Sequence, residues 1–229
     1  MSEGGTFLEL VFGRQVSGRP PERVLQTIDR QQRQSELLIA VVQLVVILTF
    51  ITLYLVAPRP NDGEMLESIT FKVIIAYASF SIIRLGLCLK GFMPTWFLMV
   101  SVIADVALLM VLIWGFHLEY GQPAGFYLKA PTLLYVFIFI ALRALRFDVS
   151  FLLLTGVAAA LGWLFLVYYA TSMGDPGNPI TRSYVEYMTS NKVLRGAEFD
   201  KVITILMTTG ILAVAIIRAR RLLVWAITD

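Results

Sequence analysis

The sequence predicts an all-α fold: a polytopic membrane protein built as a bundle of six transmembrane helices, with the N- and C-termini both in the cytoplasm. Three observations predict it. Hydrophobic residues make up 58% of the 229 residues, whereas soluble domains contain roughly 45–50%. The apolar residues are gathered into six runs, each near the roughly 20 residues that a transmembrane helix needs. The density of positive charge alternates between the segments that connect these runs.

The predicted spans are, in chain order, Leu37–Ala57, Ile69–Leu89, Pro94–Phe116, Phe126–Leu145, Val149–Ser172 and Phe199–Ile217. The fourth run differs because Lys129 lies inside its outer end, where the long side chain can extend its amine to the interface. The chain therefore divides into a cytoplasmic N-terminal segment (residues 1–34), a transmembrane domain (35–217) and the start of a cytoplasmic linker helix (218–229).

The distribution of Lys and Arg predicts the orientation. With the N-terminus inside, the inner segments hold 12 of the 19 positively charged residues and the longer outer loops hold seven. This excess agrees with the positive-inside rule. The net charge of +3 then reflects basic residues attracted to anionic lipid, and no nucleic-acid partner is expected.

Two features are predicted on the inner side of the membrane. Pro20, Pro21 and Glu22 favour the start of an amphipathic surface helix, which leads into the first span. The inner turn Lys90–Pro94 is short, so we expect spans two and three to form an antiparallel hairpin.

The longest outer loop is Met173–Glu198. It begins with a turn cluster rich in Gly and Pro. A short helix is predicted after the cluster, with Tyr184, Tyr187 and Met188 on one side, and we expect it to lie on the outer interface or to cap the bundle.

The last span continues without a helix breaker through Arg218, Arg220 and Arg221. We interpret this stretch as a signal-output helix. Because neither a turn nor a proline follows before Asp229, we expect a cytoplasmic module beyond it.

Asp105 is the one acid deep inside a predicted span, near the middle of the third. Ionisable groups at such depth are costly and are functional candidates by default. Arg84, in the inner half of the second span, lies within reach across the hairpin. The sequence allows a structural Arg84–Asp105 pair, a protonated Asp105 bonded to a neighbouring helix, or a proton or ion relay. The relay is disfavoured because no second acid or histidine lies at similar depth.

Side chains that could act in catalysis or bind a metal or cofactor are few. His117 is the only histidine, so a haem held by two histidines cannot be built within one chain. We interpret His117 as an interfacial residue. The alternative is that it binds a ligand or senses protons. The single cysteine, Cys88, excludes an internal disulfide and a cysteine-based metal cluster. Motifs for nucleophilic catalysis, zinc proteases and phosphate-binding loops are missing. We therefore expect no catalytic residue, metal site or cofactor in this chain.

Two stretches carry a family resemblance. Residues 127–147, from Tyr127-Leu128-Lys129-Ala130-Pro131 to Arg143-Ala144-Leu145-Arg146-Phe147, resemble the fourth span of the six-helix membrane domains that precede bacterial class III adenylate/guanylate cyclase modules. Residues 180–201, from Ile180-Thr181-Arg182-Ser183-Tyr184 to Glu198-Phe199-Asp200-Lys201, are similar to the outer segment before the last span of those domains. The order of inner N-terminus, six spans and inward-continuing last helix agrees along the whole chain.

The resemblance implies a membrane anchor and sensor domain that regulates cyclic AMP synthesis by an attached module. That module, outside these 229 residues, would use ATP with Mg²⁺ or Mn²⁺ held by two aspartates. The implied partners are membrane lipids, a second copy in a homodimer and a lipid-like or apolar ligand, and the implied location is the bacterial inner membrane. The expected receptor residues are Tyr184, Tyr187, Met188, Trp114 and His117.

Two other hypotheses stay open. A small transporter or channel subunit would use Asp105 and Arg84 to line its path, although the spans lack the midplane Gly and Pro breaks that transporters use. A passive anchor would bind no ligand, and an unrelated dimerising bundle could then replace it without changing cyclase output.

Overall fold

The structure, a computed structural model, describes residues 22–56, 68–91, 93–173 and 179–228. Its helices are, in chain order, α1 (Glu22–Val56), α2 (Ile69–Leu89), α3 (Thr95–Glu119), two 3₁₀ helices (Ala124–Lys129 and Pro131–Leu134), α4 (Tyr135–Ala144), α5 (Val149–Ser172), α6 (Tyr184–Thr189) and α7 (Arg195–Thr228). These ranges contain no strand, only an isolated bridge between Ile180 and Val193. The all-α prediction is confirmed for this part of the chain.

Some predicted features lie outside the described residues. They are the N-terminal segment before residue 22, most of the first outer loop (57–67) and most of the turn cluster (174–178). The apolar face predicted for the surface helix falls on residues 22–33, whose side chains are likewise not described.

Five helices are long and apolar enough to cross a membrane: Gln34–Val56 within α1, Ile69–Leu89, Thr95–Glu119, Val149–Ser172, and Arg195–Leu222 within α7. Large apolar side chains cover their outward faces, and Leu48, Phe165 and Ile211 are each more than 60% exposed. Apolar surface of this extent marks contact with a membrane. By length and composition the chain is membrane-embedded, as predicted.

The fourth predicted span is not one continuous helix, so the prediction for Phe126–Leu145 is corrected. Two 3₁₀ helices precede α4, which has only 10 residues, about 15 Å at 1.5 Å per residue. The chain is extended at Ala130, and Pro131 follows. A proline removes one backbone donor and clashes with the preceding turn, which explains why the α-helix starts only after it.

Side-chain hydrogen bonds tie the broken segment to its neighbours. The ammonium group of Lys201, on α7, donates to the carbonyl of Leu128 at 2.7 Å. The hydroxyl of Tyr127, on the broken segment, donates to the carbonyl of Leu166 on α5 at 2.6 Å, and this tyrosine is fully buried. Irregular backbone is tolerated at membrane depth where protein surrounds it and satisfies its polar groups.

The broken segment runs from one end of the bundle to the other. Its first turns contact Leu166 and Lys201, near the end of α5 and the start of α7. Its far end places Arg143 against Asp105 of α3, and Arg146 follows beside Glu36 near the start of the α1 span. We call these two ends the cap end and the arginine end.

The last helix, α7, packs closely on α5 where Gly156 meets Thr209. A Cβ built on Gly156 would lie 2.2 Å from the hydroxyl oxygen of Thr209 and 2.7 Å from its Cβ. Glycine is therefore required at this crossing, in keeping with the small residues that let transmembrane helices approach.

We predict that Gly156→Ala lowers the free energy of unfolding by about 1–3 kcal/mol, the usual cost of forcing extra volume into a packed contact. Thermal unfolding in detergent would measure this. Gly210→Ala is the matched control, because Gly210 is exposed on α7 and a Cβ there meets nothing within 4 Å. Equal melting temperatures for the two variants would contradict the close approach.

Candidate functional site

The first candidate site is a buried cluster of charged residues at the arginine end. It consists of Glu36, Gln43, Arg84, Asp105, Arg143 and Arg146, and we call it the arginine cluster. Its members come from α1, α2, α3, α4 and the turn after α4. All six are buried, and Arg84 has no exposed surface.

Two carboxylates hold the arginine cluster together. Arg84 donates to Glu36 at 2.9 Å and to Asp105 at 3.2 Å, so it joins α1 and α3. Arg143 forms an ion pair with the same Asp105 oxygen, to which the Gln43 amide also donates. Three donors on one oxygen suit an ionised carboxylate.

Arg146 completes the cluster by binding the other oxygen of Glu36 at 2.8 Å. Its guanidinium also lies over the ring of Phe151, 3.8 Å from the centroid, which favours the charge. Three guanidinium groups thus surround two carboxylates. The five charged members of the cluster together carry one net positive charge. Such a network can fix the relative positions of four chain segments, because moving one of them away from its ion-pair partners breaks buried ion pairs.

The second candidate site is a pocket of about 490 Å³ at the cap end, within the usual range for small-molecule sites. We call it the aromatic pocket, since six of its lining residues are aromatic. It is lined by Phe50, Leu53, Tyr54, Thr70, Ile74, Leu112, Phe116, Glu119, Tyr120, Phe126, Lys129, Ala130, Pro131, Thr132 and Tyr135. The break at Pro131 thus forms one wall of the pocket.

Few polar groups face the aromatic pocket. Glu119, at the end of α3, accepts a hydrogen bond of 2.6 Å from the Ser68 hydroxyl, the N-cap of α2. Lys129 donates to the carbonyl of Ser190. The hydroxyl of Thr70 is buried and has no hydrogen-bond partner among the described residues. This combination of an apolar body with a few fixed polar groups is typical of ligand pockets.

A cap covers the same end of the bundle. It comprises residues 179–194 and contains the short helix α6. The cap is closed by backbone hydrogen bonds from Thr181 to Val193 and from Val193 to Pro179. On its surface, hydrogen bonds from Lys192 and then from Thr181 hold the pKa of the Glu186 carboxyl below its ordinary value.

A third buried acid ties the cap to the bundle. Glu198, on α7, accepts hydrogen bonds from the Tyr187 hydroxyl of the cap at 3.0 Å and from the Trp163 indole of α5 at 3.1 Å. Lys201 forms an ion pair with it at 2.9 Å. We call these four residues the Glu198 node. Because Lys201 also binds the Leu128 carbonyl, the node links the cap, the broken segment and α7.

The five predicted receptor residues fall into two separate places. Tyr184 and Tyr187 contact each other on the cap, and Tyr187 and Met188 line a pocket of about 590 Å³ against the broken segment and α7. Trp114 and His117 contact each other on α3. His117 is 7% exposed and lies among the rings of Trp114, Tyr127 and Tyr169; its position at the membrane interface stays a prediction.

The remaining predicted residues are placed as follows. Arg84 and Asp105 are brought together, but within a larger network than the predicted pair. Arg218 and Arg220 lie exposed on α7, and Arg221 is partly buried there. Among the described residues, no group of three His, Cys, Asp or Glu side chains could hold a metal ion.

Sequence reasoning missed most of the arginine cluster. It did not delimit the aromatic pocket, and none of the five predicted receptor residues lines it. Glu36 and Arg146 flank predicted spans, and Arg143 lies near the inner end of the fourth, so hydropathy alone does not indicate that they are buried. Two signals were present in the sequence. Gln43 is a polar residue inside the first apolar run, and Pro131 lies inside the fourth.

Comparison of the chain with protein-family models, with curated proteins and with solved structures finds no match in any of the three.

We predict that Asp105→Asn destabilises the bundle by about 3–5 kcal/mol, the usual cost of removing one partner from a buried ion pair. The variant leaves Arg84 and Arg143 without their shared carboxylate. Thermal unfolding in detergent would measure the loss. Glu186→Gln, which breaks the exposed bridge to Lys192, is the control and should change little.

The double variant Asp105→Asn/Arg143→Met tests whether charge balance is the cause. Removing one positive charge together with the negative one restores the original net charge, so the double variant should be more stable than Asp105→Asn alone. A double variant that is less stable than the single one would show that the arginine cluster does not act through paired charges.

Proposed function

We propose that this chain is the membrane anchor and receptor domain of a class III nucleotide cyclase. In this proposal, occupation of the aromatic pocket by a lipid-like or apolar ligand changes the position of α7, and α7 regulates an attached cytoplasmic module that makes cyclic AMP. One observation carries the receptor part. The broken segment that forms a wall of the pocket is bonded directly to α7 through Lys201 and the Leu128 carbonyl.

The proposed topology has six crossings, with both termini in the cytoplasm and the cap outside. Its support is the broken segment, which contacts the cap end at Leu128 and the arginine end at Arg143. The excess of Lys and Arg on the inner side supports the orientation. The aromatic pocket then faces the outer leaflet, where an amphiphile can enter from lipid or from solution.

The proposed mechanism is a population shift between two packings of α7. A ligand shifts that equilibrium only by the difference in its affinity for the two packings. The pocket wall provides such a difference, because a ligand that displaces Ala130 and Pro131 also strains the Lys201–Leu128 hydrogen bond. α7 is continuous from Arg195 to Thr228, about 51 Å at 1.5 Å per residue, so a tilt at the cap end reaches beyond the inner membrane surface.

The cyclase part of the proposal rests on the resemblance of residues 127–147 and 180–201. It includes a homodimer in the bacterial inner membrane, with the two attached modules meeting at an active site that uses ATP and Mg²⁺ or Mn²⁺. A transporter is the weaker proposal. Asp105 is held by Gln43, Arg84 and Arg143, an arrangement that favours a structural role over a path for ions.

We predict that filling the aromatic pocket abolishes ligand binding. Dodecanol, an apolar probe with one hydroxyl, should raise the melting temperature of the protein in phosphatidylcholine nanodiscs, because a bound ligand stabilises the folded state. Thr132→Trp should remove this shift. Val157→Trp is the matched control, since Val157 faces lipid on α5. Equal shifts in both variants would mean that dodecanol acts through the bilayer.

We further predict that the whole gene product, read from its complete open reading frame, makes cyclic AMP in a bacterial strain without its own cyclase. Adding dodecanol should change the rate at least several-fold. Lys201→Met should keep basal cyclic AMP synthesis and lose the response, because the pocket wall is no longer bonded to α7. Lys192→Met, on the cap surface, should respond normally.

Two outcomes would count against this proposal. A gene product that makes no cyclic AMP in any condition would overturn the cyclase assignment. A Lys201→Met variant that responds as the wild type does would overturn the proposed route from the pocket to α7.

A further inference from the structure

We propose that the aromatic pocket selects an amphiphile with a positively charged amine head. This inference rests on the proposed receptor function of the same pocket and adds the chemical class of its ligand. It is carried by the position of Glu119, by the aromatic rings around it and by the contacts of Lys129.

Glu119 offers one carboxylate oxygen to a ligand. The Ser68 hydroxyl binds the other oxygen. Within the described ranges, no Lys, Arg or His side chain forms an ion pair with Glu119. A partly buried carboxylate at the edge of an apolar pocket interacts favourably with an ammonium group, and charge-assisted hydrogen bonds are about twice as strong as neutral ones.

The rings around Glu119 favour the same charge. Tyr120 and Phe126 contact each other, with ring centroids 5.6 Å apart, and Phe116 lies one turn before Tyr120 on α3. All three line the pocket together with Glu119. Aromatic faces attract cations through their quadrupoles, and this is a common way of recognising amines.

Lys129, the other charged residue of the lining, already has partners on the cap side of the broken segment. Its ammonium group donates to the Ser190 carbonyl and lies 5.1 Å from the centroid of the Tyr187 ring. An anionic head would have to compete with these contacts. Glu119, by contrast, has no cation to give up among the described residues.

The rest of the pocket suits an uncharged apolar body. Ile74 and Leu112 form its floor and are almost fully buried. Thr70 also lines the pocket, but its hydroxyl, which has no hydrogen-bond partner among the described residues, is itself buried. A single chain or ring system of drug-like size fits about 490 Å³.

The experiment compares dodecylamine, dodecanol and dodecanoate, which share one tail, by thermal shift and calorimetry in nanodiscs of uncharged phosphatidylcholine. Dodecylamine should bind the wild type about tenfold more tightly than dodecanol, as expected for one charge-assisted hydrogen bond. Glu119→Gln should reduce this ratio to near one. Asp200→Asn is the control, because Asp200 lies at the cap end but outside the lining of this pocket.

The outcomes separate the ligand class from the receptor function. If dodecanol or dodecanoate binds as tightly as the amine, and Thr132→Trp removes that binding, the pocket is a receptor site and the amine preference is wrong. If no probe binds in a way that Thr132→Trp removes, both the amine preference and the receptor function fail. An amine preference that persists in Glu119→Gln would also overturn the inference.

Discussion

The structure depends on the two carboxylates that hold three arginines in the membrane-embedded bundle. Ionised groups in hydrocarbon are tolerated only when they are paired. Glu36 and Asp105 share Arg84, so neither α1 nor α3 can move away from α2 without breaking a buried ion pair. Arg143 and Arg146 extend the same constraint to α4 and the following turn. The arginine end is therefore the rigid end of the molecule.

The cap end is held differently. Its contacts are a few neutral or surface hydrogen bonds, the aromatic rings around the pocket and the Glu198 node. Pro131 prevents the fourth segment from continuing as an α-helix, and the resulting break leaves both a pocket and a backbone carbonyl that Lys201 binds. One proline thus creates the ligand-sized space and the polar link to the last helix.

Much of the fold could be predicted from hydropathy alone, because a bilayer imposes helix length and apolar composition on each crossing. Four of the five apolar spans begin and end within a few residues of the predictions; the span in α7 starts at Arg195, four residues before the predicted one. Contacts between helices could not be predicted, since hydropathy does not report which faces meet. Glu36 and Arg146 are 110 residues apart in the chain, and nothing local in the sequence pairs them.

The division into a rigid end and a softer end explains why α7 is suited to carry a signal. No residue of α7 belongs to the arginine cluster. The helix is attached instead by its packing on α5 at Gly156, by contacts with α4 and by Glu198 and Lys201 at the cap end. A tilt of α7 about the Gly156–Thr209 crossing therefore changes apolar contacts and a few hydrogen bonds, whereas the same tilt of α1, α2 or α3 would separate buried charges. The arginines fix α1, α2, α3 and the segment of α4, but they do not hold α7. A ligand can therefore change the position of α7 at a low cost in free energy.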